Sequence, residues 1–161
     1  MCRRFVLPIF LSLALCGLTY STPCQDWVAR VGAVKTPRFK VVNAGDVFAD
    51  FDSSDNADAE YAKGLIFVYV SPAHVNKKST GNFLRAIKPK LSKQHDYTIF
   101  FFDDFDRAKN FDDSPDAEEK NMKAIKGVFF HIPERKKEIL QVYKNGITEA
   151  DLTILEAKLK K

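Results

Sequence analysis

Cysteine is almost missing from this chain. Three in 161 residues, at Cys2, Cys16 and Cys24, are too few for a disulfide scaffold. Glycine and proline are sparse too, seven of each, which excludes a collagen-like or Pro/Gly-rich disordered chain. Past the N-terminal segment no apolar run approaches the ~20 residues needed to span a membrane. There is no repeat, no low-complexity tract and no linker that would divide the chain. An excess of one charge is also lacking. The net charge is +4, and without residues 1–21, which carry Arg3 and Arg4 and no acid, it is 4 − 2 = +2. That balance gives no reason to expect nucleic acid or anionic lipid as a partner on charge alone. What the chain has is an ordinary globular composition, 45% apolar and 29% charged, with 14 Phe, enough for one domain of roughly 100–150 residues.

Residues 1–21 read as an address. Arg3 and Arg4 form a positive start, Phe5 to Leu18 an apolar stretch, and Thr19-Tyr20-Ser21 a cleavage site with small residues. The expectation is a secreted or periplasmic protein whose mature chain begins near Thr22, with an uncleaved N-terminal anchor as the other reading. The mature chain then carries Cys24 alone, which cannot form an internal disulfide. Residues 22–60 read as an N-terminal extension, with a short β-like piece at Phe39-Lys40-Val41-Val42. From Asp46 to Glu60 it holds six acids and no Lys or Arg. A calcium loop starting at Asp50 fails, because Asp55 stands where the sharp turn needs Gly and Tyr61 where a bidentate Glu is required.

Residues 61–161 read as the α/β domain. Gly64 to Val70 is a strand candidate ended by Ser71-Pro72. Between Lys77 and Lys93 lie six Lys or Arg and no acid, with Phe83, Leu84, Ile87 and Leu91 at helical spacing and Pro89 as an early stop. Tyr97 to Phe102 is apolar without alternation, as expected of a strand covered on both faces, and it ends in Asp103-Asp104. Ser114-Pro115 suits a helix start, Gly127 to Ile132 a third strand, and Thr148 with Asp151 a capping pair before the stripe Leu152, Leu155, Leu159. Residues 134–144 fit either a helix stopped by Asn145-Gly146 or an antiparallel strand. Alternating elements argue for a three-layer α/β sandwich.

The sharpest chemical signal is Asp103-Asp104 at the carboxyl end of a strand, where α/β sheets bind ligands. Adjacent carboxylates repel, and a divalent cation such as Mg²⁺ relieves that repulsion; the plainer reading is the start of a solvated loop. His74, His95 and His131 lack metal-ligand spacing and read as structural or surface residues. No Gly-x-Ser-x-Gly surrounds Ser71. The basic run from Lys77 reads as a solvated helix face or a contact for an acidic partner.

Three stretches together resemble the C-terminal half of haloacid-dehalogenase (HAD)-type phosphohydrolases, in a secreted bacterial branch. They are Tyr61 to Phe67, Asn76 to Leu84, and Ile99 to Asp104 with Asn110 beyond. Gln141 to Gly146 followed by Thr148 to Asp151 is similar to that branch's tail. The resemblance implies a Rossmann-like, mainly parallel sheet, a helix over 134–144, and hydrolysis through an aspartyl-phosphate. It assigns Mg²⁺ to Asp103 and Asp104, and neutralisation of the phosphoryl group to Lys78 (less well Lys77). Its nucleophile should be the first Asp of an Asp-x-Asp after the first buried strand. Here Asp50-Phe51-Asp52 is the nearest equivalent, too close to Gly64 for the strand the family places between them. The expectation is therefore a degenerate, non-catalytic HAD-like domain that binds a protein partner or a phosphate-containing ligand and retains Mg²⁺. The alternatives are an active Mg²⁺-dependent phosphatase using Asp50 or Asp52, and a thioredoxin-like binding module. The last has no Cys-x-x-Cys for redox work. A strand at 134–144 favours the thioredoxin-like topology, and a helix there the HAD-like one.

Overall fold

The computed structural model describes residues 36, 38–48, 62–91, 93, 96–112 and 114–160. Residues 1–21, Cys24, His95, Asp50 and Asp52 lie outside them. Five strands form one sheet: β1 (Phe39–Phe48), β2 (Ala62–Val70), β3 (Tyr97–Phe102), β4 (Ile125–Ile132) and β5 (Lys137–Val142), ordered across the sheet as in the chain. Helix α1 (Lys77–Ile87) joins β2 to β3. The short α2 (Phe105–Lys109) and α3 (Pro115–Ala124) join β3 to β4, and α4 (Glu149–Lys160) ends the domain.

Strand β3 determines the layering. Tyr97, Ile99 and Phe101 point to one face and Phe100 and Phe102 to the other, and all five are at most 4% exposed. Both faces must therefore be roofed. On the first, Phe83, Leu84 and Ile87 of α1 pack against Ile66, Val68, Ile99, Phe101 and Phe129. On the second, Ala108 of α2, Ala124 of α3 and Leu155 of α4 pack against Leu65, Phe67, Phe100, Phe102 and Val128. The result is a helix–sheet–helix sandwich, as the alternation of elements implies.

The mainly parallel sheet is not what forms. Only β2 and β3 pair in parallel; the pairs β1–β2, β3–β4 and β4–β5 are antiparallel. Helices α2 and α3 cause the reversal at β4. Ten residues of α3 rise only ~15 Å, and the helix returns to the edge it left, where the Asp103 amide donates to the Ala124 carbonyl at 3.1 Å. Since β4 begins at the next residue, it has to run back down the sheet.

The helix implied over 134–144 is likewise replaced. Pro133–Arg135 forms a 3₁₀ turn, Lys136 takes a left-handed conformation (φ 51°), and β5 follows. Neighbouring Ile139 and Leu140 enter opposite core clusters. A strand delivers consecutive residues to opposite faces and a helix does not. Residues 39–48, read as part of the N-terminal extension, are the edge strand of the same sheet, with Phe39 4% exposed in the core.

Other boundaries match their sequence signals. α1 ends in a 3₁₀ turn at Lys88–Lys90 around Pro89, and α3 opens on Ser114-Pro115. Ahead of α4 the Asp151 carboxylate accepts from the Thr148 amide at 3.0 Å, while the Asp151 amide donates to Thr148 Oγ1 at 3.2 Å. Among the described residues no helix is long and apolar enough to cross a membrane.

Two glycines test this packing with opposite signs. Gly146 has φ +95°, and a Cβ there would meet Lys123 backbone atoms at 2.7 Å. Gly146→Ala should therefore cost about 2 kcal/mol or more. Gly81 lies inside α1 with nothing within 4 Å of an added Cβ, so Gly81→Ala should gain about 0.5–1 kcal/mol. Urea unfolding of both variants measures the two values.

Candidate functional site

The carboxyl ends of β2 and β3 lie side by side, with Tyr69 opposite Phe102. The chain leaving β2 turns to the α1 face, and the chain leaving β3 turns to the α2 face. Such diverging exits open the crevice in which α/β sheets hold ligands. Its residues are Ser71 to Lys78 on one side and Asp103 to Asn110 on the other.

Within it the aspartates are already engaged. Asp104 is the N-cap of α2, and its carboxylate accepts from the Arg107 amide at 3.0 Å. Asp103 Oδ2 stands 3.4 Å from Lys126 Nζ, with the two side chains 27% and 13% exposed. Lys126 Nζ also donates to the Lys123 carbonyl at 2.7 Å. Lys78 is exposed in the first turn of α1, on the other roof of the sandwich. No ion pair joins it to either aspartate among the described residues. Asn110 is the C-cap of α2, with its amide donating to the Asp106 carbonyl at 2.8 Å. The structure thus brings Asp103 and Asp104 to one strand end, with Lys78 on the other side of the crevice and in no ion pair with either.

The two acids as arranged do not fit a Mg²⁺ shared between them. One is neutralised by an ammonium, the other is directed at a helix N-terminus, and a Mg²⁺ site wants oxygens free to converge. Among the described residues no group of three or more His, Cys, Asp or Glu could hold a metal ion.

Asp50 and Asp52 lie outside the described residues.

Neither the family models, nor the curated proteins, nor the solved structures compared with this chain match it.

A second polar cluster, at the far edge, escaped sequence reading. Glu138 of β5 sits opposite His131 of β4, 3.2 Å from its Nδ1, and also takes the Lys88 ammonium. The His131 ring stacks on Tyr97 with centroids 4.6 Å apart, and Lys88 lies 5.6 Å over the Phe129 ring. Burial first, and the Glu138 charge second, push the Tyr97 hydroxyl up. Burial and Asp151 push Tyr143 up to about 12. Lys88 and Glu138 are fifty positions apart, and a helix over 134–144 would not have paired Glu138 with His131, so no local pattern announces the cluster.

Partial burial pushes the Glu138 carboxyl up, but Lys88 and His131 more than offset it and hold the carboxyl below its usual 4.5. A carboxylate favoured in the folded state stabilises above its unfolded titration range, and acid removes that contribution. The gap in unfolding midpoint between wild type and Glu138→Gln should thus be full at pH 7 and close as pH falls below about 4.5. At the other edge, Asp104→Ala should cost ~1 kcal/mol by loss of the cap. Thermal unfolding across pH and urea titration check the two.

Proposed function

We propose that this chain is a secreted or periplasmic α/β domain that binds a partner and performs no phosphoryl transfer. One observation carries the reading: the two acids that the HAD-type assignment gives to Mg²⁺ are both engaged within the chain, Asp103 with the Lys126 ammonium and Asp104 with the first turn of α2. A covalent mechanism has no first step unless its nucleophile reaches the substrate held by the charge-stabilising groups. The engagement of Asp103 with Lys126 and of Asp104 with α2 supports a structural role for the pair.

The fold details bear on the choice of resemblance. A strand at 137–142 followed by a terminal helix supports the thioredoxin-like, non-redox alternative over the HAD-like one. The strand order that follows the chain speaks for neither name. Secretion rests on the composition of residues 1–21.

The test is hydrolysis of p-nitrophenyl phosphate with millimolar Mg²⁺, beside thermal unfolding with and without the ion. The reading expects no turnover and an unshifted midpoint. Turnover abolished by Asp50→Asn or Asp52→Asn would overturn it. So would a Mg²⁺-induced rise in midpoint lost in Asp103→Asn/Asp104→Asn, since a ligand at a hundredfold its Kd adds ~2.7 kcal/mol.

A further inference from the structure

The start of β1 and the outer flank of α1 enclose a groove of about 390 Å³, floored by Phe39, Phe83 and Ala86 and rimmed by Arg38, Ser79 and Asn82. The two floor rings stack at 4.7 Å and 11° and are 4% and 3% exposed, so the apolar surface is recessed and rigid. The flank around it is wholly cationic. Lys77, Lys78, Arg85 and Lys90 are exposed, and residues 77–93 contain no acid. Of the cations on α1 and the turn after it, Lys88 alone takes an acidic partner among the described residues. The Arg85 guanidinium is held by the side chain of Asn82, which places it at the groove rim.

This charge distribution opposes the fold. A helix N-terminus favours acids, and here two lysines occupy the first turn with no acid. The Asn76 side chain caps the helix by accepting from the Ser79 amide at 2.8 Å, but no acid within residues 77–93 offsets the lysines, which leaves their charge to a group from outside.

We propose that this groove docks an acidic peptide segment of another protein, one aliphatic side chain entering over Phe39 and Phe83 while its carboxylates meet Arg38, Arg85 and Lys78. The inference rests on the binding-domain reading above and names its partner's chemistry. A bilayer is disfavoured because surface-binding helices insert protruding apolar side chains, and these are recessed. Single-stranded nucleic acid wants exposed aromatic platforms, whereas the one exposed large hydrophobic among the described residues is Ile154, on α4 beneath the other face.

Fluorescence polarisation with the whole chain and a fluorescein-labelled peptide of Asp and Glu with one central Leu tests this. Binding should weaken with salt, fall about tenfold in Arg85→Glu, fall again when the peptide's Leu becomes Ser, and persist in Lys158→Glu on α4. Absence of binding would overturn the proposal. It also fails if the Leu-free peptide binds equally, if Lys158→Glu and Arg85→Glu weaken binding alike, if phosphatidylglycerol vesicles bind in place of the peptide, or if the chain self-associates through this face. p-Nitrophenyl phosphate turnover in the same preparation separates the two claims. Turnover with peptide binding defeats only the non-catalytic reading, and neither turnover nor binding defeats only the groove.

Discussion

The burial of both faces of β3 is the constraint on which the rest of this structure depends. Five of its six positions are aromatic or aliphatic, Thr98 being the exception, and they allow no solvated face. A strand of this kind is stable only in the middle layer of a sandwich. Each large side chain so buried contributes about 1.5–3 kcal/mol, and Phe101 and Phe102, at 1% and 0% exposed, are among the most enclosed in the molecule. Helix α1 roofs one face, and α2, α3 and α4 the other. Because the connections leaving β2 and β3 serve different roofs, they part at the carboxyl edge, and that parting creates the crevice holding Asp103 and Asp104.

The same constraint explains why Asp103 and Asp104 both have partners within the chain. Asp104 terminates β3 by starting α2. Asp103 sits where α3 returns, and its charge is met by Lys126 two residues into β4. Both roles are structural consequences of turning a buried strand sharply into a helix on one face. Lys78 belongs to the other roof. Lys78 and the aspartate pair are thus assigned to different layers. The basic flank of α1 stands outside this logic, since no packing requirement calls for it.

Sequence reading served well where a signal was local. The boundaries of β3, the Pro89 stop, the Ser114-Pro115 start and the Thr148/Asp151 cap follow from periodicity and capping chemistry confined to a few residues. Strand direction was not legible. Whether β4 runs with or against β3 depends on two short helices folding back to one edge, a three-dimensional fact with no periodic trace. Residues 134–144 carried helix-compatible composition, and the decision for a strand came from the open edge of β4 and from Ile139 and Leu140 needing opposite cores. The Lys88–Glu138–His131 cluster was hidden for the same reason, as it joins three elements whose order in space is set by those choices.

The burial of both faces of β3 is the central claim, and urea unfolding of two truncations tests it most directly. Phe101→Ala and Phe102→Ala, one on each face of the sheet, should each cost about 3–5 kcal/mol. A cost below about 1 kcal/mol for either one would place that face in solvent and contradict the sandwich.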